Sequence, residues 1–488
     1  MSRRNAFVPP DRAIQSICQC VPRRARRSHG YSRQGLALYD VIIVGARCAG
    51  APTAMLLSGM GYKVLLLDRA NFPSDSPTST RLIHPPGVAK LQRWGLLEEI
   101  LACGCPPIYR YGLAAGPVNI MADLPLVDGV NMAYSPDREV LDHVLVKAAV
   151  GAGAELRENV SVSSLLRDEA GSVIGAAGKA RSGGKFEERA HVVVGADGTN
   201  STIARLVGAP KYNVQPTRAK SWWTYWDGLP LDNEVATVRA NQKHGFAWPT
   251  HDGLAIVGMT WKPSEFDALT TDPEASFTAA YEEVAPEFAT RLRAGKQAGR
   301  WICGSVPNFF RKPYGPGWAL VGDASYSKDP CTAAGITDAM GGAELLSAAL
   351  DRGLSGRATM NDALAEYEQA RNTKAFQHYD YTCDMADLHD YSPEELDLMG
   401  AIAKSPRHAT GLLGVFSDAT KPADFFSADN IHELFGYMEP NQLLSWRMRV
   451  LHWIITGPPS RFKRPVSMAD KLMAQNMGEM GKFLLGNV

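Results

Sequence analysis

Residues 39–70, YDVIIVGARCAGAPTAMLLSGMGYKVLLLDRA, hold two apolar runs separated by a glycine turn and an alanine-rich segment. The first run covers residues 41–44, and the second covers residues 64–67, directly before Asp68. Such short apolar runs are typical of buried strands, and the segment between them has the length of a helix. The order predicts a βαβ unit that binds a dinucleotide, with a purely structural βαβ turn as the alternative.

The glycines and the acid of this segment have separate expected roles. Gly45 permits the tight turn, and Gly50 lets the helix pack closely on the strand, so that the helix N-terminus can receive a pyrophosphate. Asp68 lies 23 residues after Gly45, about the distance at which a carboxylate reaches a ribose hydroxyl. Arg47 stands where a middle glycine is usual, and we expect its side chain to point away or to pair with the pyrophosphate.

The composition narrows the classes of partner. Lys plus Arg and Asp plus Glu both number 51, so the net charge gives no reason to expect nucleic acid or an anionic membrane. No apolar stretch approaches the ~18 residues needed to span a bilayer, and we expect no membrane association. The 8 cysteines lack C-x-x-C spacing, which favours reduced thiols in a cytoplasmic protein without a metal site.

Residues 1–38 differ from the rest of the chain in their charge, because they contain many arginines and a single acidic residue, Asp11. They show no sustained apolar periodicity, and Pro9, Pro10 and Pro22 interrupt any helix. We expect a disordered Arg-rich tail. An organelle transit peptide is the alternative.

Two further motifs follow the first in a fixed order. Residues 194–201 read VGADGTNS, and residues 319–324 read ALVGDA. Together with the glycine turn, these motifs resemble the class A flavoprotein monooxygenases, the family of p-hydroxybenzoate hydroxylase. The chain also resembles the geranylgeranyl reductase-like flavoproteins, to which the GARCAG loop of residues 45–50 is similar. The resemblance covers about residues 40–350.

The resemblance implies a set of FAD-binding residues. It places Asp323, after Gly322, on the ribityl chain, and it places Arg81 at the phosphates and Arg138 near the adenine side. Asp197 is associated with both FAD and NAD(P)H. The loop and helix N-terminus that face the flavin pyrimidine would include Pro330, Gly335 and Ile336, where backbone N–H groups can hold the negative charge of the reduced flavin. The sequence departs from the family at Ala333, Tyr326 and Arg205, which weakens any transfer of substrate detail.

These features predict an α/β fold with several parts. A Rossmann-like FAD-binding domain would cover residues 39–215 and 309–355. A mostly antiparallel substrate-binding sheet would be inserted at residues 216–308, and residues 356–488 would be mainly helical.

The chain contains a single glycine-rich nucleotide fingerprint. The resemblance therefore implies class A behaviour, in which NAD(P)H reduces the flavin transiently and molecular oxygen then forms a C4a-hydroperoxide. We expect a monooxygenase that hydroxylates an aromatic or other apolar ring. The first alternative is a flavin-dependent reductase or dehydrogenase of an isoprenoid or alicyclic substrate; a halogenase and a non-catalytic flavin protein are further ones.

The expected substrate face is the aromatic-rich strand of residues 221–226. Strict alternation places Trp222, Thr224 and Trp226 on one face and Trp223 and Tyr225 on the other. One set would pack in a core, while the other lines an apolar pocket. For any single tryptophan, core packing is the favoured expectation.

The candidates for a catalytic base are His84, which precedes Pro-Pro-Gly, and Tyr225 on the sheet. His244 lies beside a turn glycine, so we expect it to be solvated.

The apolar residues Trp446, Val450 and Trp453 recur at helical spacing within residues 443–455. We expect a helix that covers the FAD domain or a partner in a homodimer. An interfacial membrane helix is the alternative.

Overall fold

The fold is organised around two main β-sheets, and a computed structural model describes residues 38–269, 272–446 and 448. The strands are β1 Leu38–Val44, β2 Val64–Leu67, β3 Arg110–Ala115, β4 Val118–Asp123, β5 Glu155–Arg157, β6 Val160–Arg167, β7 Val173–Ala180, β8 Lys185–Gly195, β9 Lys211–Gln215, β10 Lys220–Asp227, β11 Glu234–Ala240, β12 Lys243–Pro249, β13 Ala255–Trp261, β14 Lys296–Gln297, β15 Ile302–Gly304, β16 Asn308–Arg311, β17 Tyr314–Gly315, β18 Trp318–Leu320 and β19 Tyr326–Ser327.

Helices cover both main sheets. They are α1 Gly50–Gly59, α2 Pro85–Arg93, α3 Leu97–Leu101, α4 Arg138–Gly151, α5 Thr202–Leu206, α6 Pro263–Phe266, α7 Pro273–Val284, α8 Pro286–Ala294, α9 Gly335–Leu354, α10 Met360–Met385, α11 Pro393–Ala403, α12 Pro406–Phe416, α13 Pro422–Phe425 and α14 Ala428–Phe435. Helix α4 starts where the sequence predicts, because the side chain of Asp137 accepts a hydrogen bond from the Glu139 N–H and caps it.

The first sheet has the strand order β17-β18-β8-β1-β2-β5, and β6 and β7 extend it beyond β8. Strands β18, β8, β1, β2 and β5 pair in parallel. Val41 and Ile43 of β1 pack into one apolar cluster, while Ile42 and Val44 pack into another on the opposite face. Burial on both faces explains the uninterrupted apolar run, since a parallel sheet has no side that faces water.

The second sheet has the order β14-β10-β13-β12-β11-β3-β4. Its neighbouring strands pair antiparallel, apart from the parallel pair of β11 and β3. Strands β3 and β4 precede the predicted insert of residues 216–308, so this sheet also uses residues from an earlier part of the chain. The domain boundaries themselves stay predictions.

The two faces of β10 lie in different cores, as the alternation predicts. Trp226 is buried in a cluster with Phe277 of α7, and Trp222 packs against that cluster. Trp223 is buried in a cluster on the other face, together with residues of α11 to α14, and Tyr225 packs beside it. The predicted α/β class, with a Rossmann-like sheet and a mostly antiparallel second sheet, is confirmed, and so is the helical character of the C-terminal region as far as Trp446.

The predicted C-terminal helix is described only in part. Trp446 is buried, and its ring lies 5.7 Å from that of Phe435, centroid to centroid. Val450 and Trp453 lie outside the described residues, as does the predicted tail up to residue 37. Across the described ranges, no helix has both the length and the apolar character to cross a membrane.

Candidate functional site

The residues of the three motifs meet at one edge of the first sheet. Strands β18, β8, β1 and β2 are parallel neighbours, so their carboxyl ends lie side by side. Gly45 follows β1, Asp68 follows β2, Asp197 follows β8, and Asp323 follows β18. Loops at the carboxyl ends of parallel strands form the usual ligand crevice of an open α/β sheet. Gly45, Asp68, Asp197 and Asp323 therefore lie at the same edge of the sheet.

The turn between β1 and α1 requires its glycines. Gly45 has a φ of +102°, and a Cβ there would lie 2.4 Å from the Ala196 carbonyl oxygen. A Cβ on Gly50 would lie 1.7 Å from the Gly45 carbonyl oxygen. Helix α1 has no side-chain hydrogen bond at its N-cap, Ala49, although the Ala51 N–H donates to the Arg47 carbonyl oxygen at 3.0 Å. The helix dipole favours negative charge at this end. This helix end suits a pyrophosphate.

The Asp68 carboxylate stabilises this turn and also lies at the carboxyl edge of the first sheet. One carboxylate oxygen accepts from the Ala46 N–H at 2.7 Å, and the other accepts from the Ala70 N–H at 2.8 Å. Each carboxylate oxygen can accept more than one hydrogen bond. The side chain can therefore hold the turn and still receive a ribose hydroxyl.

Arg47 points away from the turn towards a buried carboxylate. Its Nη1 donates to Asp142 at 2.5 Å, and Arg138 contacts the same carboxylate at 2.8 Å. Asp142 is fully buried, and the Cys48 thiol also donates to it at 3.4 Å. Asp142 was assigned no role from the sequence, although its i,i+4 spacing from Arg138 on a helix was a usable signal.

Arg81 connects the two sheets. Its guanidinium pairs with Asp75 at 2.9 Å and with Asp137 at 2.6 Å, and it lies 5.2 Å from the centre of the Tyr225 ring. The backbone of Arg81 has a φ of +66°, in the left-handed region that side chains seldom adopt. The surrounding contacts must hold this strained residue in place.

Asp323 is a carboxylate that remains open to the crevice. Thr199 donates to it at 3.3 Å from the loop after β8, so two of the motifs are in contact. Desolvation by the crevice walls, followed by the charge of Asp338, raises the pKa of Asp323 to about 6. The side chain is nevertheless exposed, which is the condition for a hydroxyl-bearing ligand to reach it. Hydrogen bonds from such a ligand would favour the ionised form.

Asp197 holds its own loop in place. Its carboxylate accepts from the Ser201 hydroxyl at 2.5 Å and from the Thr202 N–H at 2.6 Å. These contacts stabilise the start of α5 and fix the preceding loop that carries Thr199. Asp197 thus shapes the crevice through the backbone around it.

The N-terminus of α9 forms the other end of the crevice. This helix runs for 20 residues, and its N-cap, Ala334, makes no side-chain hydrogen bond. Pro330 and Gly335 are exposed there, whereas Ile336 is buried beneath them. An uncapped helix N-terminus offers N–H donors and a favourable dipole to a negative charge. Two such helix ends, the glycine turn and the exposed Asp323 together fit an FAD molecule.

His84 is buried, and both of its ring nitrogens are engaged. The Thr332 carbonyl can only accept, so the Nε2 at 2.8 Å donates to it, and the Nδ1 accepts from the Tyr111 hydroxyl at 2.6 Å. Burial lowers the pKa of His84 to about 4. The arrangement favours a positioning role, in which His84 ties the loop of residues 330–335 to the second sheet, over abstraction of a substrate proton.

Tyr225 is half-buried beneath Arg81. Burial, which outweighs the opposing charge of Arg81, raises the pKa of Tyr225 to about 12. The hydroxyl therefore keeps its proton at neutral pH, which suits a hydrogen-bond donor better than a base.

We expect His84 to make folding sensitive to acid. Its pKa falls from 6.5 to about 4 on folding, so its contribution is present above pH 6.5 and is lost as the pH falls towards 4. Between pH 7 and pH 5, the wild type should lose about 2 kcal/mol more free energy of unfolding than His84→Gln. Urea unfolding at both pH values measures this. The exposed His191→Gln should behave as the wild type, and equal acid losses in wild type and His84→Gln would contradict the assignment.

The sequence analysis led to a wrong expectation for one buried polar side chain, His244, and to none for another, Asp329. The expectation that His244 is solvated is wrong, because the residue is only 2% exposed. Asp329 is buried, and one oxygen accepts from the Cys331 N–H at 3.1 Å while the other has no partner among the described residues. Burial raises the pKa of Asp329 to about 7. Its position directly before Pro330 was the available signal.

Residues 38–382 match the model of a family described as FAD binding domain. A digeranylgeranylglycerophospholipid reductase of Methanosarcina acetivorans is 24% identical over 432 residues, which cover 85% of this chain and 96% of the reductase. A rifampicin monooxygenase of Streptomyces venezuelae is 26% identical over 279 residues, or 54% of this chain and 53% of that enzyme. The structure of the flavin-dependent brominase Bmp2 aligns with a TM-score of 0.70 at 17% identity, covering 82% of this chain and 99% of the brominase.

Proposed function

Because the chain belongs to the FAD binding domain family, we propose that it is an NAD(P)H-dependent monooxygenase that hydroxylates an aromatic or other apolar ring. Its class as an FAD-dependent oxidoreductase follows from the family and its relatives. The finer assignment is supported by the shape and chemistry of the crevice. FAD, once reduced by NAD(P)H, would supply the activation of oxygen, and the protein would supply binding and orientation.

The crevice residues divide the binding of FAD among them. The N-terminus of α1 would hold the pyrophosphate, and Asp68 would receive a ribose hydroxyl. Asp323 would accept hydrogen bonds from the ribityl chain. The N-terminus of α9 would stabilise negative charge on the flavin ring.

The arginines would act mainly by building the walls of this crevice. Arg47 and Arg138 share the single carboxylate of Asp142, and they fix the loop of α1 against α4. Arg81 is paired with Asp75 and Asp137, so it would hold the entrance between the sheets.

The observation that carries the hydroxylation proposal is the apolar, enclosed face of the second sheet. One buried cluster contains Trp223, Phe246 and Trp248 together with Ala333, which belongs to the loop of residues 330–335 that would face the flavin. Helices α11 to α14 contribute to the same cluster and shield it from water. Exclusion of water protects a reactive oxygenating state, and an aromatic lining suits an apolar ring.

A second candidate is a flavin-dependent reductase or dehydrogenase acting on an isoprenoid or alicyclic substrate. It is favoured by the relatives named as digeranylgeranylglycerophospholipid reductases, one of which aligns over 85% of this chain. The same enclosed apolar face could hold a prenyl chain. The two candidates differ in whether turnover consumes oxygen.

We expect NAD(P)H oxidation to be slow without substrate and to accelerate when an aromatic substrate binds, with one oxygen consumed per NAD(P)H. The sequence holds one nucleotide fingerprint, so the nicotinamide must dock transiently, and reduction is then gated by movement of the flavin or of a loop. An oxygen electrode and absorbance at the NAD(P)H band, used with a panel of phenols, measure both rates. Oxygen uptake that is unchanged by every phenol would argue against the monooxygenase.

A further inference from the structure

A row of polar residues crosses the aromatic face of the second sheet. Arg239 of β11 pairs with His244 of β12, His244 pairs with Thr260 of β13, and Thr260 pairs with Ser221 of β10. Directly paired residues project to the same side of a sheet. His244 lies two residues before Phe246 on β12, so the row shares the face that carries Trp223 and Phe246.

Arg239 is a buried cation whose contacts are incomplete. It is 5% exposed, its Nη2 donates to the His389 carbonyl at 3.2 Å, and its guanidinium lies 5.0 Å from the centre of the Tyr391 ring. Its Nε is buried without a hydrogen-bond partner, and no carboxylate of the described residues lies within 4.0 Å. A guanidinium cannot shed its proton, so burial without an anion carries an uncompensated cost.

Two more buried ring nitrogens on this face lack partners. They are the Nε2 of His244, directly opposite Arg239, and the Nε1 of Trp223. Burial, with the charge of Arg239 as a second cause, lowers the pKa of His244 to about 3. The imidazole is therefore neutral and can donate to a ligand through one nitrogen.

The row lies close to the loop that would face the flavin. Ala333 shares the apolar cluster of Trp223 and Phe246. Burial raises the pKa of the Cys331 thiol, and Arg239 is close enough for its charge to oppose that rise. The polar row thus lies on the face of the second sheet against which residues 330–335 pack.

We propose that Arg239, with His244 beside it, binds an oxyanion, a carboxylate or a phosphate, on a substrate whose remaining body is apolar and lies on Trp223 and Phe246. This assignment rests on the proposed function, because it takes that face of the sheet to be part of the substrate site. It adds a charged anchor to a site that is otherwise aromatic. A guanidinium binds both kinds of oxyanion through two parallel hydrogen bonds.

The test measures binding to the FAD-loaded protein without NAD(P)H, by isothermal titration. One probe pair is 2-naphthoate and 2-naphthamide, and the other is geranyl phosphate and geraniol, so the two arms separate a carboxylate from a phosphate anchor. In at least one pair the anion should bind more tightly than its neutral partner. Arg239→Gln should weaken that anion about 10- to 100-fold, the effect of losing a charged hydrogen bond, and should leave the neutral partner within about threefold.

The matched control is Arg110→Gln on β3 of the same sheet, because Arg110 is half-exposed and paired with Glu234. It should bind all probes as the wild type does. Arg239→Lys keeps the charge without the planar fork and should give an intermediate loss. If Arg239→Gln does not fold, the loss of anion affinity is measured in Arg239→Lys and His244→Gln instead.

An anion preference that survives in Arg239→Gln, or an equal loss in Arg110→Gln, overturns the proposal. So does the finding that neither anion binds more tightly than its neutral partner. The titration measures binding without turnover. Anion binding that depends on Arg239 would therefore support the anchor even if the protein does not hydroxylate its substrate. Hydroxylation of neutral phenols should be unaffected by Arg239→Gln, because these substrates carry no oxyanion for the guanidinium to bind.

Discussion

Asp323→Ala is expected to weaken FAD binding about 100-fold while the protein stays folded. The carboxylate is exposed in the crevice, and the wall around it raises its pKa to about 6. Each hydrogen bond from a hydroxyl to a charged carboxylate contributes about 1.5–3 kcal/mol, so the loss of one or two gives the stated factor. Titration of the apoprotein with FAD, followed by flavin fluorescence, measures the affinity.

Two controls accompany this change. Asp323→Asn keeps the shape and one acceptor, and it should fall between the wild type and alanine. Asp362→Ala removes an exposed carboxylate at the start of α10 and should not change the affinity. FAD bound by Asp323→Ala as tightly as by the wild type would show that this carboxylate does not contact the cofactor.

Asp142→Leu is expected to destabilise the protein by about 3–5 kcal/mol. The carboxylate is fully buried between Arg47 and Arg138. Removing it leaves a buried cation without a counter-charge, which costs far more than an exposed ion pair is worth. Urea unfolding of the FAD-free protein measures the change.

A double substitution makes this prediction sharper. Asp142→Leu combined with Arg138→Leu removes the carboxylate and the more deeply buried of its two arginine partners, leaving only the partly exposed Arg47, and should recover a large part of the loss. Glu99→Gln breaks the exposed pair with Lys147 and should change the free energy of unfolding by less than about 0.5 kcal/mol. A loss that the double variant does not reduce would mean that packing, rather than charge, explains the effect of Asp142→Leu.

The sequence predicted the features that depend on local spacing. The βαβ unit follows from two apolar runs and a glycine turn, and the clash of a Cβ at Gly50 shows why that position requires glycine. Alternation along β10 correctly separated Trp222 and Trp226 from Trp223 and Tyr225, because the period of a strand is a property of the backbone.

The features that the sequence did not predict depend on contacts between distant parts of the chain. His84 is buried because it bridges Tyr111 and Thr332, which are 27 and 248 residues away. His244 looked like a turn residue, yet it pairs with residues of both neighbouring strands and is buried. No local pattern reports such coverage.

The contribution of β3 and β4 to the second sheet has the same origin. Strand β3 pairs with β11 in parallel, more than a hundred residues later in the chain. Parallel pairing requires a long connection, and nothing in the short segments of residues 110–123 specifies the partner. The predicted boundaries treated these strands as part of the first domain for that reason.

The central claim, oxygen-dependent hydroxylation, is tested most directly by turnover with and without oxygen. The FAD-loaded protein, NAD(P)H and a phenol that accelerates NAD(P)H oxidation in air are combined under strict anaerobiosis. We predict a single reduction of the bound flavin and then no further consumption of NAD(P)H, with hydroxylated product formed only when oxygen is admitted. Sustained anaerobic consumption of NAD(P)H, in proportion to a saturated product, would contradict the monooxygenase and support the reductase.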